Sequence, residues 1–416
     1  MKFLFIHQNF PGQYRHLAPA LRDRGHTCRA IGGTTAEQMP GILLDRIRYP
    51  GVGRPPGIHQ WAMDLQRKCL RADAVARKAY ELAKQGFKPD LIIGHPGWGE
   101  LIAIKDVYPD VPVLHQLEFV YQLNGADRGF DPEFSAEESK SDDQWRSATQ
   151  LRLRRAPQLL ALHDLDHAIA PTHWQASTAG DLFGDRISVI HEGVDTRQIR
   201  PDWNARVSLK KRGISFKKGD EVVSYVARNL EPYRGFHIFM RMLPLLQAQR
   251  PNCHVVIVGA DGVSYGAEPT NGRSWREVLL KEVGNQLDLS RIHFVGRVAH
   301  SVLHNLFQVS ACHIYLTYPF VLSWSLLEAM SCGAVIIGSA TPPVQEVIRD
   351  GENGLMVNFF DAKELAGQIT KVLESPEAYT PLSIAARNTI KQNYELNDIC
   401  LPRQIELIKQ LTSQNP

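Results

Sequence analysis

No C-x-x-C pair occurs among the six cysteines of this 416-residue chain (Cys28, Cys69, Cys253, Cys312, Cys332 and Cys400). Several of them fall inside apolar strand or helix patterns where a small apolar side chain serves, which argues for reduced thiols in a cytoplasmic protein. A broad basic field is also missing: the formal charge is only +3, so a dedicated nucleic-acid binder is excluded and any basic surface is local. No segment approaches the roughly 20 consecutive apolar residues of a membrane span, which leaves only peripheral membrane contact open. Met1 to His7 carries one basic residue and a very short apolar run, and it reads as a first strand, not as a secretion signal. No G-x-G-x-x-G follows either opening strand, against a two-domain dehydrogenase. The sixteen histidines form no H-E-x-x-H or similar ligand spacing, and internal repeats and low-complexity tracts are absent.

What is present is an ordinary folded composition, 44% hydrophobic and 22% charged. The length suits two domains of about 200 residues each. In the first half, short apolar runs at Lys2 to His7, His26 to Ile31, Asp90 to Gly94, Val111 to Leu114, His167 to Ala170 and Ile187 to Ile190 read as strands. Helical spacing fills the gaps, most clearly from His59 to Gln85. A second series reads at Glu221 to Val226, His254 to Val258, Ile292 to Val295, His313 to Leu316, Val335 to Ile337 and Gly354 to Val357. Such alternation predicts an α/β fold with two doubly wound, Rossmann-like parallel sheets facing across a cleft. The polar stretch from Asp195 to Lys218 marks the break. It sets domains at 1–197 and 198–390, with a closing helical segment, 391–416, packed back on the first. The polar run 124–143 is either an active-site flap or a solvated connector.

One stretch, residues 318–346, concentrates the chemistry. After an apolar strand at Cys312 to Leu316, Ser325-x-x-Glu328 reads as a capping box opening a short helix, with Gly333 at its C-terminal stop. A helix start at the carboxyl edge of a parallel sheet offers N–H groups and positive dipole to a diphosphate. Upstream, Val226 to Gly235 places Arg228 and Arg234 between a strand and the Gly that opens the next helix. Guanidinium forks there match phosphate oxygens in pairs and never lose their charge, although two surface arginines flanking a turn are the plain alternative. His293 to Val298 is a strand end followed by a Gly turn, with Arg297 and Val298 beyond it.

These three segments resemble the donor site of GT-B retaining glycosyltransferases of family 4, with a glycogen-synthase-like donor domain. The resemblance implies that Arg228 and Arg234 hold a diphosphate and that backbone groups of Arg297 and Val298 meet the nucleobase. It further implies that Glu328 accepts hydrogen bonds from ribose hydroxyls and that the N–H groups around Ser325, Leu326 and Leu327 meet the diphosphate. The chain departs from the family's Glu-x7-Glu pattern, because Phe320 stands where the first Glu is usual. Sugar hydroxyls then fall to backbone groups from Val321 to Trp324, to Ser323, or to the first domain, as expected of a subgroup variation. In the first domain, His7 to Gln13 resembles the family's first loop, with Gly12 allowing close backbone approach. After the strand at Val111, either His115 or Glu118 faces the reacting sugar. His95 and Trp98 are further sugar or acceptor candidates, against a packed Gly- and Pro-rich turn. The resemblance implies no metal and no cofactor, and Asp164-Leu165-Asp166 is read as a turn before a strand.

The activity expected is retaining transfer of a sugar from a UDP- or GDP-sugar to a glycan, lipid or small-molecule acceptor, as in polysaccharide biosynthesis. A nucleotide-sugar epimerase or hydrolase, and a non-catalytic nucleotide or glycan binder, are the alternatives. The basic helix around Arg146, Arg152, Arg154 and Arg155 is either a lipid-facing surface or a solvated helix face. The nucleobase, the sugar and the oligomeric state are left open.

Overall fold

A computed structural model describes residues 1–49, 57–134, 144–209, 213–270 and 272–413. The second half of the polar run, 135–143, therefore lies outside the described residues. The chain divides into two compact units, Met1–Gly193 with Leu396–Pro416, and Val194–Glu395.

The first unit is a seven-stranded sheet in which every pairing is parallel: β1 (Lys2–Ile6), β2 (Thr27–Gly32), β3 (Leu43–Arg46), β4 (Leu91–Gly94), β5 (Val113–Gln116), β6 (His167–Ala170) and β7 (Ile187–Val189), in the order β3-β2-β1-β4-β5-β6-β7. Its central strands are buried on both faces, the reason they read as continuous apolar runs and not as alternation. Helix Met63–Lys84 places Val75, Ala79 and Leu82 against Leu4, Ile6 and Ile92 on one face. On the other face, Ile405, Leu407 and Ile408 of the closing helix Leu401–Ser413 join Phe3, Phe5 and Tyr14. In the Arg-rich helix Gln144–Leu162, Leu162 and Leu159 pack with Leu117 and Leu165, whereas Leu160 is exposed.

The second unit is a six-stranded parallel sheet of β10 (Val222–Asn229), β11 (His254–Ala260), β12 (Ile292–Gly296), β13 (Cys312–Tyr315), β14 (Val335–Ser339) and β15 (Leu355–Val357), ordered β12-β11-β10-β13-β14-β15. An antiparallel hairpin, β8 (Arg206–Leu209) with β9 (Ile214–Lys217), precedes it inside the stretch read as a polar linker. Ser224 and His313 stand in register on the central strands β10 and β13, with Ser224 Oγ 3.0 Å from His313 Nδ1. Both sheets reverse direction of growth at one point, between β1 and β4 and between β10 and β13. Carboxyl edges at such switch points are where open α/β sheets bind ligands.

Five of the six cysteines are buried, and Cys69 is exposed. Burial pushes the Cys28 thiol up to about 11 and Cys253 and Cys332 to about 12, so these are inert packing residues. No described helix is long and apolar enough to cross a membrane.

Candidate functional site

At the switch point of the second unit, β10 delivers Asn229, and the turn Glu231 to Arg234 folds back under the sheet edge. Glu231 is fully buried, and its carboxylate accepts the backbone N–H groups of Ser264 (2.9 Å), Tyr265 (3.1 Å) and Gly266 (2.9 Å). This one side chain holds the loop after β11 against the loop after β10. Arg234, 8% exposed, directs Nη1 to Thr317 Oγ1 (2.8 Å), the Val321 carbonyl (3.0 Å) and Tyr315 Oη (3.3 Å). Burial opposes its charge, but Tyr315, Tyr265 and Glu231 outweigh burial and push its pKa up, so it is a fixed cation. Gly235 follows at φ +67°, where a Cβ would stand 2.4 Å from Leu316 Cβ, so no other residue fits between this turn and β13. Arg228 is exposed at the end of β10.

The loop after β13 carries the residues of the sequence motif. Phe320 is 5% exposed, with its ring 4.7 Å from Tyr265 and 5.6 Å from Tyr233, which in turn lies 4.7 Å from Tyr318. The position read as a missing carboxylate is thus a member of an aromatic cluster. Ser323 Oγ, not Ser325, caps the next helix, accepting the Ser325 N–H at 3.4 Å, and the helix runs from Trp324 to Ser331. The capping box read at Ser325 and Glu328 is therefore corrected. With Trp324 as the first helical residue, Glu328 lies beyond the first turn and cannot reach back to a cap. Ser323 N–H donates to Tyr315 Oη (2.7 Å), which ties the cap to Arg234 through a shared hydroxyl. Leu326 and Leu327 are fully buried, and the Leu326 N–H already donates to the Ser323 carbonyl (3.2 Å). Gly333 (φ +75°) donates to the Met330 carbonyl and Ala334 to Ala329, the double bond that stops the helix.

Released from capping, Glu328 has a side chain 12% exposed, with Oε2 3.5 Å from His304 Nε2 on the helix His300–Val309. That helix begins two residues after Val298. Arg297 is exposed, and Val298 packs with the core around Val256 and Leu306.

In the first unit, the loops after β1, β4 and β5 converge on one polar network. His7 Nδ1 accepts the Asn9 N–H (3.0 Å), which places its proton on Nε2, 2.6 Å from Gln13 Oε1. The Gln13 amide donates to Glu118 Oε1. On the far side, His95 Nδ1 accepts the Gly97 N–H (3.0 Å), and its Nε2 lies 3.3 Å from Glu118 Oε2. Trp98 stacks on His95 (4.1 Å between centroids) and meets His7 edge-on (4.7 Å). Burial and the neighbouring His95 lower His7 to about 4, so its ring is neutral near pH 7. Burial opposes ionisation of Glu118, but His95 and Gln13 overcome it and hold the carboxyl below the usual range. Gly12 (φ +48°) belongs here too: a Cβ would stand 2.3 Å from the His7 ring, so glycine lets the loop close over that histidine.

The structure separates the two candidates left open after β5. His115 is inside the strand, 2% exposed, with Nδ1 unpartnered and its pKa lowered to about 3, first by burial and then by His95. Glu118 lies past the strand end, at the hub of the network. Among the residues that sequence reasoning missed, His7 and Gln13 flank the turn already marked by Gly12, and Glu231 sits inside the Arg228–Gly235 segment. An acid or histidine just past an apolar strand was the signal available for His7 and Glu231; Gln13 carried none.

Comparison with known proteins identifies the family and the fold. Residues 24–199 match the model for the glycosyl transferase family 4 group, and residues 208–389 match glycosyl transferases group 1. The chain is 27% identical over 216 residues to a D-inositol 3-phosphate glycosyltransferase of Acidothermus cellulolyticus, a match covering 50% of this chain and 46% of that one. It spans about half the length of the curated relatives of that kind. Among solved structures, a sucrose-phosphate synthase from Thermosynechococcus elongatus shares the fold over 100% of both chains, with a TM-score of 0.72 and 19% identity. Anabaena HepE in complex with UDP-glucose does so over 99% of this chain and 100% of its own, with a TM-score of 0.65 and 18% identity. With both halves matched in order and both sheets of the Rossmann-like type, the chain belongs to the GT-B glycosyltransferases of group 1, with a family-4-like first half.

Proposed function

We propose that the chain transfers a sugar, with retention of anomeric configuration and without a metal ion or other cofactor, from a UDP- or GDP-sugar to a glycan, lipid or small-molecule acceptor. The observation that carries this reading is Glu328: a partly exposed carboxylate, freed of any capping duty, one turn inside the helix that starts at the β13 edge of the switch point. In this reading its oxygens accept the ribose hydroxyls, and backbone groups at Arg297 and Val298 meet the base. The first-turn N–H groups from Trp324 onward, with Arg228 and Arg234, take the diphosphate.

The chemistry follows from charge. As the glycosidic bond to the diphosphate breaks, negative charge grows on the leaving oxygen, and a guanidinium already held in place needs no reorganisation to stabilise it. The leaving diphosphate then helps remove the proton of the acceptor hydroxyl on the same face of the sugar, which keeps the configuration. In the first unit, the ionised Glu118, with the neutral His7 imidazole linked to it through Gln13 and His95 on its far side, gives the acceptor side a fixed set of donors and acceptors for hydroxyl groups. Here Glu118, rather than the enclosed His115, is the residue that meets the sugar.

The test is a panel of nucleotide-sugars with candidate acceptors, following released nucleoside diphosphate and the anomeric configuration of the product, with and without EDTA. Wild type is expected to turn over one donor class at a rate unaffected by EDTA, and Glu328→Ala and Arg234→Ala to lose most of it. Equal turnover by all three proteins would remove the site assignment, and product formed without any acceptor would indicate hydrolysis instead of transfer.

A further inference from the structure

The flank of Glu328 carries chemistry that sugar transfer does not use. The helix His300–Val309 packs against the helix Trp324–Ser331, and His300 and His304, four residues apart, project from one face of it. Glu328 completes a group of three whose ligating atoms all lie within 4.8 Å of one another. His304 Nε2 is closed off from solvent, makes no hydrogen bond, and lies 3.5 Å from Glu328 Oε2. His300, the first residue of its helix, is exposed, so the group opens to solvent on that side.

A tetrahedral ion with bonds of about 2.0–2.1 Å sets its ligand atoms about 3.3 Å apart. The His304–Glu328 pair already has nearly that span, and an exposed His300 closes the remainder by a change of rotamer. Two imidazoles and a carboxylate suit zinc over magnesium or calcium, which prefer all-oxygen sites, and three protein ligands leave a fourth position for water. We propose that His300, His304 and Glu328 form a binding site for a zinc-class divalent ion, and that its occupation and nucleoside diphosphate binding exclude one another. The ion draws the carboxylate toward the His300–Val309 helix and neutralises it, so the oxygens no longer accept ribose hydroxyls. The metal site stands on its own geometry, whereas the exclusion rests on Glu328 as the ribose ligand. The ion acts as an inhibitor and takes no part in transfer.

The experiment is isothermal titration of zinc chloride alone into the full chain, as wild type, His300→Ala and His304→Ala, followed by titration of UDP and GDP with and without saturating zinc. Wild type is expected to bind one zinc ion at this site. Each variant should lose more than the roughly 10- to 100-fold in affinity that loss of a mere supporting group costs at a metal site. Zinc should weaken diphosphate binding at least tenfold in wild type and leave it unchanged in His300→Ala, since chelation of zinc by free diphosphate affects both proteins alike. Equal zinc affinity in wild type and His300→Ala, with matching thermal melts, would overturn the metal site. Zinc binding that depends on the histidines but leaves diphosphate affinity intact would overturn the exclusion. If Glu328→Ala then also binds diphosphate as wild type does, the ribose reading is what failed, and the metal site remains.

Discussion

The two switch points share a sheet order and differ in chemistry. In the second unit the edge between β10 and β13 is built from a permanent charge, Arg234, and rings, Tyr233, Tyr265, Tyr318 and Phe320. In the first unit, the edge between β1 and β4 is built from two imidazoles around a carboxylate, with Gln13 bridging His7 to Glu118 and His95 facing Glu118 directly. The fold decides where a ligand goes, and the residues on the loops decide what is done to it. A preset cation suits a leaving group on which negative charge grows, while a carboxylate held among imidazole and amide groups suits hydroxyl groups.

The contrast predicts different failures on the two sides. The largest effect is expected from Glu118→Gln, which keeps the shape of the network and removes its charge. If the carboxylate meets the sugar or acceptor, kcat should fall by roughly 10²–10⁴-fold with the fold intact. A variant that binds donor and turns over normally would reduce the network to a structural role. Next comes Arg234→Ala, expected to cost about 10²–10³-fold in kcat, as loss of one preset donor to a developing oxyanion does. This change also strands Thr317, Tyr315 and the Val321 carbonyl, so Arg234→Lys serves as the partner variant. Partial recovery of the melting temperature without recovery of rate would separate charge from geometry.

Phe320 tests the aromatic side. Phe320→Ala should lower stability by about 3–5 kcal/mol, read by chemical denaturation, because it empties the space between Tyr233 and Tyr265. Phe320→Glu should not restore a sugar ligand, since a carboxylate there is buried among rings without a partner.

The smallest effect concerns acid. Buried histidines held neutral have a folded pKa below the unfolded value near 6.5, so the stability they contribute is full above that value and is lost as pH falls toward the folded one. His7 and His191 at about 4 and His115 at about 3 lie in the first unit, against His313 at about 3 in the second. Between pH 6.5 and 4 the first unit should therefore loosen before the second. Amide hydrogen exchange at pH 4.5, corrected for intrinsic rate, is expected to rise first in β1, β4 and β5, and His7→Gln should shift that onset downward. Simultaneous loosening of both units would show that the histidines do not govern acid stability.

Much of the architecture was legible because parallel strands buried on both faces leave unbroken apolar runs. β1, β4, β6, β11 and β12 stand within a residue or two of where such runs place them, and β10 runs three residues further than read. β3 was missed because it is an edge strand, with Leu43 59% exposed, and Leu-Leu-Asp-Arg carries no apolar run. The hairpin β8–β9 was missed because its inward residues, Val207 and Leu209 facing Phe216 and Ile214, alternate with polar ones, and the Lys and Arg between them resemble a linker. At the candidate site, Ser325-x-x-Glu328 fits a capping box by spacing alone. Which serine ends the preceding loop depends on Tyr315 Oη, at the end of β13, receiving the Ser323 N–H, a contact that spacing in the sequence does not reveal.

By itself, the sequence determined the alternation of strands and helices, and with it two parallel sheets whose carboxyl edges collect the candidate residues. Periodicity and burial are local properties that each segment carries alone. Only the tertiary structure decided what those residues do to one another. It enclosed His115 in a strand, set Glu118 between His7 and His95, filled the Phe320 position with packed rings, and released Glu328 from its cap toward His304. Each of these depends on groups far apart in the chain, and a side chain's protonation and partners follow from the neighbours that folding supplies.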